Sequence, residues 1–296
     1  MNLPSSHIDS GHSPSEAPNR NIDAAIGKLL LDAGKLQQQD LVRVLNLQRE
    51  QNLRFGQAAI RLGLVTEEDI QQALSLQFEY PYLVNGLEGL SKELVTAIAP
   101  YGKQAEALRS VRSQLLLRWF QAENSKTLAI GCAKEGDGAS FLAANLAVLF
   151  AQLGRKTLLI DADMRRPHQH HIFNLGNGKG LSDILAGRAE ATTVSPIKSF
   201  PTLYILPSGS PPPNPAELLM RPTFHTLLHS LGSDYDIILI DTPPAQHVSD
   251  FQAVAARTGG VLIAARRNAS RLGALGELKE RIILTSAKVV GAVVLD

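Results

Sequence analysis

The sequence predicts an α/β fold, a parallel sheet flanked by helices, preceded by a small all-helical repeat domain. Three observations predict it. Six short apolar runs (127–132, 157–161, 203–207, 236–241, 260–265 and 288–294) alternate with helical stretches, as in a parallel sheet covered on both faces. A segment near the N-terminus matches itself at an offset of 29 residues. A Gly-rich turn joins the first apolar run to a long apolar helix.

Length and composition bound these elements. With 296 residues the chain has room for about two domains. At 44% hydrophobic and 19% charged it can bury a core, which excludes a mostly disordered chain. The formal charge of +1 and the lack of a basic stripe argue against a nucleic-acid partner. No apolar run approaches the roughly 18–20 residues that cross a bilayer, and Met1–Arg20 lacks the pattern of a secretory signal. Cys132 is the single cysteine, so no intrachain disulfide and no multi-cysteine metal site can form. The expectation is a cytoplasmic protein that meets the membrane only through a partner.

Taken in order, residues 1–20, rich in Ser and Pro, read as a disordered leader. Residues 21–80 form the helical repeat. Gly27 matches Gly56, Gly34 matches Gly63, Asp40 matches Asp69, Leu41 matches Ile70, Leu45 matches Leu74 and Gln48 matches Gln77, a period typical of duplicated helical units. Leu41, Val44, Leu45 and Gln48 share one helix face. Thr66 and Asp69 are spaced to cap a helix, and Gly34 and Gly63 fall where helices end. Residues 81–103, punctuated by Pro81, Gly86, Gly89, Pro100 and Gly102, read as a connector. A helical pattern over 104–120 opens the α/β domain, 104–296.

The chemistry concentrates at the ends of the strands. The run TLAIG, the turn CAKEGDGAS and the helix FLAANLAVLFAQLG form a strand, a Gly-rich loop and a helix N-terminus, the parts of a phosphate cradle. Ala133, Gly138 and Ser140 fit the phosphate-loop pattern, but Ala139 stands where that pattern places lysine. Asp161 and Asp163 close the second strand with Arg165 just beyond, and Asp241 closes another. Ligands of open α/β sheets bind at such carboxyl ends. Three carboxylates there suit Mg²⁺, a hard ion that prefers oxygen.

These motifs resemble the bacterial tyrosine kinases, which share a deviant phosphate-loop fold with partition ATPases. The resemblance covers about 104–296 and rests on AKEGDGAS, LLIDADMRRP with His170 and Phe173 following, GLSDILAG, PPNPAELL, ILIDTPP, and the E-x-x-R-x-x-R pattern of Glu106, Arg109 and Arg112. It implies that Lys134, Glu135, Gly136, Asp137, Gly138, Ala139, Ser140, Phe141 and Arg165 surround ATP. It implies Ser140, Asp163 and Asp241 toward Mg²⁺, with Asp161 the base for a tyrosine hydroxyl and Asp163 and Lys134 also in the catalytic set. Lys134 aligns with the signature lysine of deviant loops and either replaces the missing charge or faces solvent. Glu106, Arg109 and Arg112 form a subunit interface in such kinases; a solvated ion pair is the alternative.

The N-terminal repeats resemble the helical domain that opens type II secretion and pilus assembly ATPases, some of which bind cyclic di-GMP. Arg54 matches the start of that nucleotide motif, while the first repeat has Ala25 at the equivalent place, so protein docking stays open. Together the halves resemble the chain-length determinant tyrosine kinases of exopolysaccharide clusters. This implies a homo-oligomer that works with a membrane polysaccharide co-polymerase. A catalytically inert scaffold and a partition-type ATPase remain alternatives. No tyrosine follows Tyr235, so Tyr80 or Tyr82 is the expected site of any self-phosphorylation. His168, His170 and His171 read as a polar loop rather than a zinc site.

Overall fold

The computed structural model describes residues 20–77, 89–121, 125–176, 178–190 and 193–296. The chain divides into two compact units between Tyr80 and Pro81. Tyr80, Tyr82 and the expected leader, apart from Arg20, lie outside the described residues.

The first unit contains α1 (Arg20–Asp32), α2 (Gln38–Gln51), α3 (Phe55–Arg61) and α4 (Glu67–Gln77). α1 and α3 end 29 residues apart, and so do the starts of α2 and α4. Gly34 and Gly63 take φ of +67° and +66°, a left-handed turn that only glycine adopts without strain. Ahead of α2, Asp40 Oδ2 accepts the Gln37 N–H at 3.2 Å; ahead of α4, Asp69 Oδ2 accepts the Thr66 N–H at 2.9 Å. Thr66 Oγ1 in turn accepts the Asp69 N–H at 3.2 Å, which completes a capping box. Ile26, Leu30, Val44, Phe55 and Ile70 fill the core of this unit.

The second unit opens with α5 (Val95–Ile98) and α6 (Lys103–Arg118). Then come β1 (Thr127–Cys132), α7 (Ala139–Gln152), β2 (Thr157–Asp161), α8 (Gln169–Ile172), α9 (Leu181–Leu185), β3 (Ser195–Ile197) and β4 (Phe200–Leu206). The chain continues through α10 (Pro215–Met220), α11 (Pro222–Asp234), β5 (Ile237–Asp241), α12 (Val248–Thr258), β6 (Gly260–Arg266), α13 (Leu272–Leu284) and β7 (Lys288–Leu295). The sheet runs β3-β4-β2-β5-β1-β6-β7 and is parallel except for the edge pair β3–β4.

The apolar runs are continuous because both faces of the sheet are covered. Leu128, Ile130 and Cys132 of β1 join one core with α5, α6 and α7, while Ala129 joins a second core under α9 to α13. Every residue of α7 from Leu142 to Gln152 is buried, so this helix lies inside the unit rather than on it. Among the described residues no helix is long and apolar enough to cross a membrane.

Two differences from the sequence reading bear on the site. The antiparallel β3 was not anticipated, because three residues around Pro196 carry no readable periodicity. Residues 89–102, read as part of a connector, belong to the α/β core: Leu94 and Ala97 are buried there. Asn145 in the middle of α7 fastens this segment. Its side chain accepts the Thr96 N–H at 3.0 Å and the Thr96 hydroxyl at 2.9 Å, and donates to the carbonyls of Glu93 at 2.8 Å and Phe141 at 2.9 Å. A fully buried amide with all these bonds made holds its neighbours in one arrangement.

Candidate functional site

A cavity of about 360 Å³ opens at the carboxyl ends of the central strands. Its floor is the turn from β1 into α7: Glu135, Gly136, Gly138, Ala139, Ser140 and Phe141 all line it. Gly138, the N-cap of α7, has φ of +95°, and a Cβ there would lie 2.5 Å from Leu295 Cδ1 at the end of β7. The positive φ favours glycine here, and the missing Cβ leaves room for the Leu295 side chain. The first turn of α7, where helix N–H groups lack helical partners, thus lies on the cavity floor, a position that attracts anions.

The other walls come from distant segments. After β2 the chain presents Asp163, Arg166 and His168; after β5 it presents Thr242, Pro244, Gln246 and His247; β6 ends on Arg266. Glu93 completes the rim, with its Oε1 3.1 Å from His168 Nε2. Burial pushes the Cys132 thiol, which also lines the floor, up to about 12; this sulfur is an inert small side chain.

Asp161 and Asp241 sit opposite each other on paired strands, both fully buried. Asp161 Oδ1 accepts the Asp163 N–H at 3.1 Å, and Oδ2 accepts those of His168 at 2.9 Å and Gln169 at 3.0 Å. Asp241 Oδ2 accepts Gln169 Nε2 at 2.8 Å, whereas Asp241 Oδ1 is buried with no hydrogen-bond partner. Burial raises both acids. Asp161 lies well above the usual carboxylate range, pushed further by the charge of Asp241 and opposed by its backbone N–H donors. Asp241 rises to about 7, through burial first, against the hydrogen bonds of Gln169 and Ser140. Two carboxylates side by side in a low dielectric cannot both ionise cheaply.

This geometry tests the fit of a metal. An orphaned buried carboxylate oxygen asks for a cation, and Ser140, Asp163 and Asp241 offer oxygen only, as Mg²⁺ prefers. Among the described residues no three His, Cys, Asp or Glu side chains converge to hold an ion by themselves. The donor set therefore fits an ion that keeps several waters or shares phosphate oxygens.

Several residues expected at the site stand elsewhere. Lys134 is exposed and off the cavity wall. Asp137 is buried inside the loop, where Oδ2 accepts the Lys134 N–H at 3.0 Å and Oδ1 accepts the Ser270 hydroxyl at 2.6 Å. Arg165 turns away to α12 and grips Asp250 through Nε at 2.5 Å and Nη2 at 3.3 Å. Its neighbour Arg166 lines the cavity instead, ion-paired with Glu135 of the loop. Neither Asp161 nor Asp241 itself reaches the wall.

The helix expected at a subunit interface leaves Glu106 exposed and makes several contacts within the chain. Arg109 bonds Glu106 at 2.9 Å and the Pro100 carbonyl at 2.6 Å, and Arg112 is buried against Leu149 of α7. Glu93, Arg166 and Gln169 were missed as site residues, with a hint only for Arg166, in the MRRP tetrapeptide; Arg266 and Arg267 suggest an anion site from sequence, but a solvated turn after a strand is the favoured reading of them.

The comparisons agree with this architecture. The family described as AAA domain matches residues 125–284. CapB of Staphylococcus aureus, named as a tyrosine-protein kinase, is 36% identical over 195 residues, 66% of this chain and 85% of its own length. The tyrosine-protein kinase wzc of Salmonella typhi is 36% identical over 62% of this chain, but the match spans only 26% of that protein. The kinase domain of the Escherichia coli tyrosine kinase ETK superposes with a TM-score of 0.65 at 31% identity, covering 68% of this chain and 78% of that one. The chain belongs to the bacterial tyrosine-kinase family, with an AAA-type domain as its α/β unit.

Proposed function

We propose that the chain binds ATP with Mg²⁺ at the β1–α7 loop and works as a bacterial tyrosine kinase in the control of exopolysaccharide chain length. The buried, unpartnered Oδ1 of Asp241 beneath the loop carries this reading. Mg²⁺ would be held by Ser140, Asp163 and Asp241, directly or through water, and would neutralise charge on the phosphates. The N–H groups at the start of α7 would receive phosphate oxygens, and Arg166, steadied by Glu135, would flank them. Asp161 takes a positioning role in this reading: its carboxylate holds the turn that presents Asp163, Arg166 and His168. Transfer of the γ-phosphoryl group to a tyrosine hydroxyl would release ADP and a proton, with Asp163, on the cavity wall, the carboxylate available to guide that proton.

Assembly as a homo-oligomer with a membrane polysaccharide co-polymerase completes the proposal, and cyclic di-GMP or a protein remains the candidate ligand of the repeats around Arg54. A non-catalytic scaffold is the second reading, favoured by Ala139. Removing one electrostatic contact to a reacting group commonly costs on the order of 10²–10³ in rate. Calorimetric titration with ATP separates the two. Saturable binding that requires Mg²⁺ supports the nucleotide reading; no heat up to millimolar ATP removes it and leaves the scaffold.

A further inference from the structure

Ala139 leaves the start of α7 without the cation that a phosphate loop ordinarily carries there. The cationic side chains near the loop can be taken in turn. Lys134, exposed as Arg266 also is, lies off the wall. Arg165 is bound at both ends of its fork to Asp250. Arg166 is on the wall but spends its charge on Glu135. His168 faces Glu93, and a histidine carries full charge only when protonated.

Arg266 differs from all of these. It lines the cavity, and among the described residues its guanidinium has no ion pair and no hydrogen-bond partner. Its Nη2 lies 3.8 Å from the point that a Cβ on Gly138 would occupy, beside the N-cap of α7. The main chain of Arg266 is also tied to the loop. Ser270 Oγ accepts the Arg266 N–H at 2.8 Å and donates to Asp137 Oδ1 at 2.6 Å, while Asp137 Oδ2 accepts the Lys134 N–H at 3.0 Å. The pairing Cys132↔Ala264 between β1 and β6 carries Arg266 past the strand end to the level of the loop. A free, permanently charged fork is thus held in step with the turn it would have to serve.

We propose that Arg266 replaces the absent loop lysine, reaching the β- and γ-phosphates from the end of β6 rather than from α7. This rests on the reading that the loop holds ATP. Asp137 and Ser270 are positioning residues in the arrangement, and the exposed Lys134 has no part in it.

The test is calorimetric titration of the full chain, in Mg²⁺, with ATP, ADP and AMP. Loss of a charged contact predicts that Arg266→Ala weakens ATP and ADP about ten- to a hundredfold and leaves AMP binding unchanged. Arg266→Lys should retain part of the affinity. Ala139→Lys should tighten ATP in the wild-type background, and in the Arg266→Ala background it should restore at least tenfold of what was lost. Wild-type ATP binding that Arg266→Ala leaves intact overturns the inference alone. An equal loss for ATP, ADP and AMP, not rescued by Ala139→Lys, overturns it too, because it marks a structural role. Failure of both the wild type and Ala139→Lys to bind ATP removes the nucleotide reading itself, and this inference with it.

Discussion

The ends of β2 and β5 carry the same residue, at the same level of the sheet, with the same complete burial, yet their surroundings differ. The Asp161 carboxylate is saturated by three backbone N–H groups of the following turn. Asp241 is met by side chains only, the Gln169 amide on Oδ2 and the Ser140 hydroxyl, and its Oδ1 makes no hydrogen bond. One acid is consumed in building the loop that forms a cavity wall; the other keeps one oxygen without a partner. Burial alone does not separate the two acids; the unfilled oxygen does.

The largest effect is expected at Asp161. Asp161→Ala orphans three backbone donors, each worth about 1–3 kcal/mol when buried unsatisfied, partly offset by relief of the repulsion with Asp241. A net loss of about 2–4 kcal/mol in urea denaturation is expected. Unchanged stability would break the division of labour between the two acids.

At Asp241 the sign reverses. Asp241→Asn should stabilise the metal-free protein by about 1–3 kcal/mol at pH 8, since it removes a buried uncompensated charge, and should erase any Mg²⁺-induced rise in Tm. The same residue sets a pH dependence. The unfolded chain releases this proton near 3.8 and the folded protein holds it to about 7. Through that window the folded state binds more protons, so wild-type stability falls as pH rises. Asp241→Asn should flatten this fall, and saturating Mg²⁺ should reduce it, as measured by Tm from pH 4 to 8.

The smallest effect belongs to Gln169. Its amide bonds both the Ser140 carbonyl and Asp241 Oδ2, and its bond to Asp241 favours the ionised acid. Gln169→Leu should therefore move the midpoint of the pH dependence upward by about half to one pH unit, with little change in Tm at pH 5. A downward move would contradict the assignment.

Much of this arrangement was legible in the sequence because it is local. Apolar runs bounded by turns reveal strands β1, β2 and β4 to β7, and an acid at the end of a run reveals a group at the mouth of a sheet. The 29-residue match carries its own caps, so Asp40 and Asp69 can be read without knowing the packing. What escaped depends on chain reversal. Glu93 meets His168 across 75 residues, and nothing in either neighbourhood announces the other. Between Arg165 and Arg166, both just past a strand, the choice turns on which side of the turn faces α12, a property of packing. The Arg266–Arg267 pair reads either as an anion site or as a solvated turn, because the place of Arg266 is fixed through Ser270 and Asp137 rather than through any motif. The acids were found, and the resemblance gives them separate roles, Asp161 as base and Asp241 toward Mg²⁺; the tie of Asp161 to three backbone donors is a three-dimensional property that no motif carries.

The knot at Asn145 has a mechanical consequence. Its bonds to Thr96, Glu93 and Phe141 index the 93–96 segment against α7 like a key in a slot: a slip of one residue in either element disengages the whole set. Glu93 is thereby kept in register with the helix whose first turn forms the cavity floor. Any displacement of that turn should carry the Glu93 edge of the rim with it, so these two parts of the opening move as one piece.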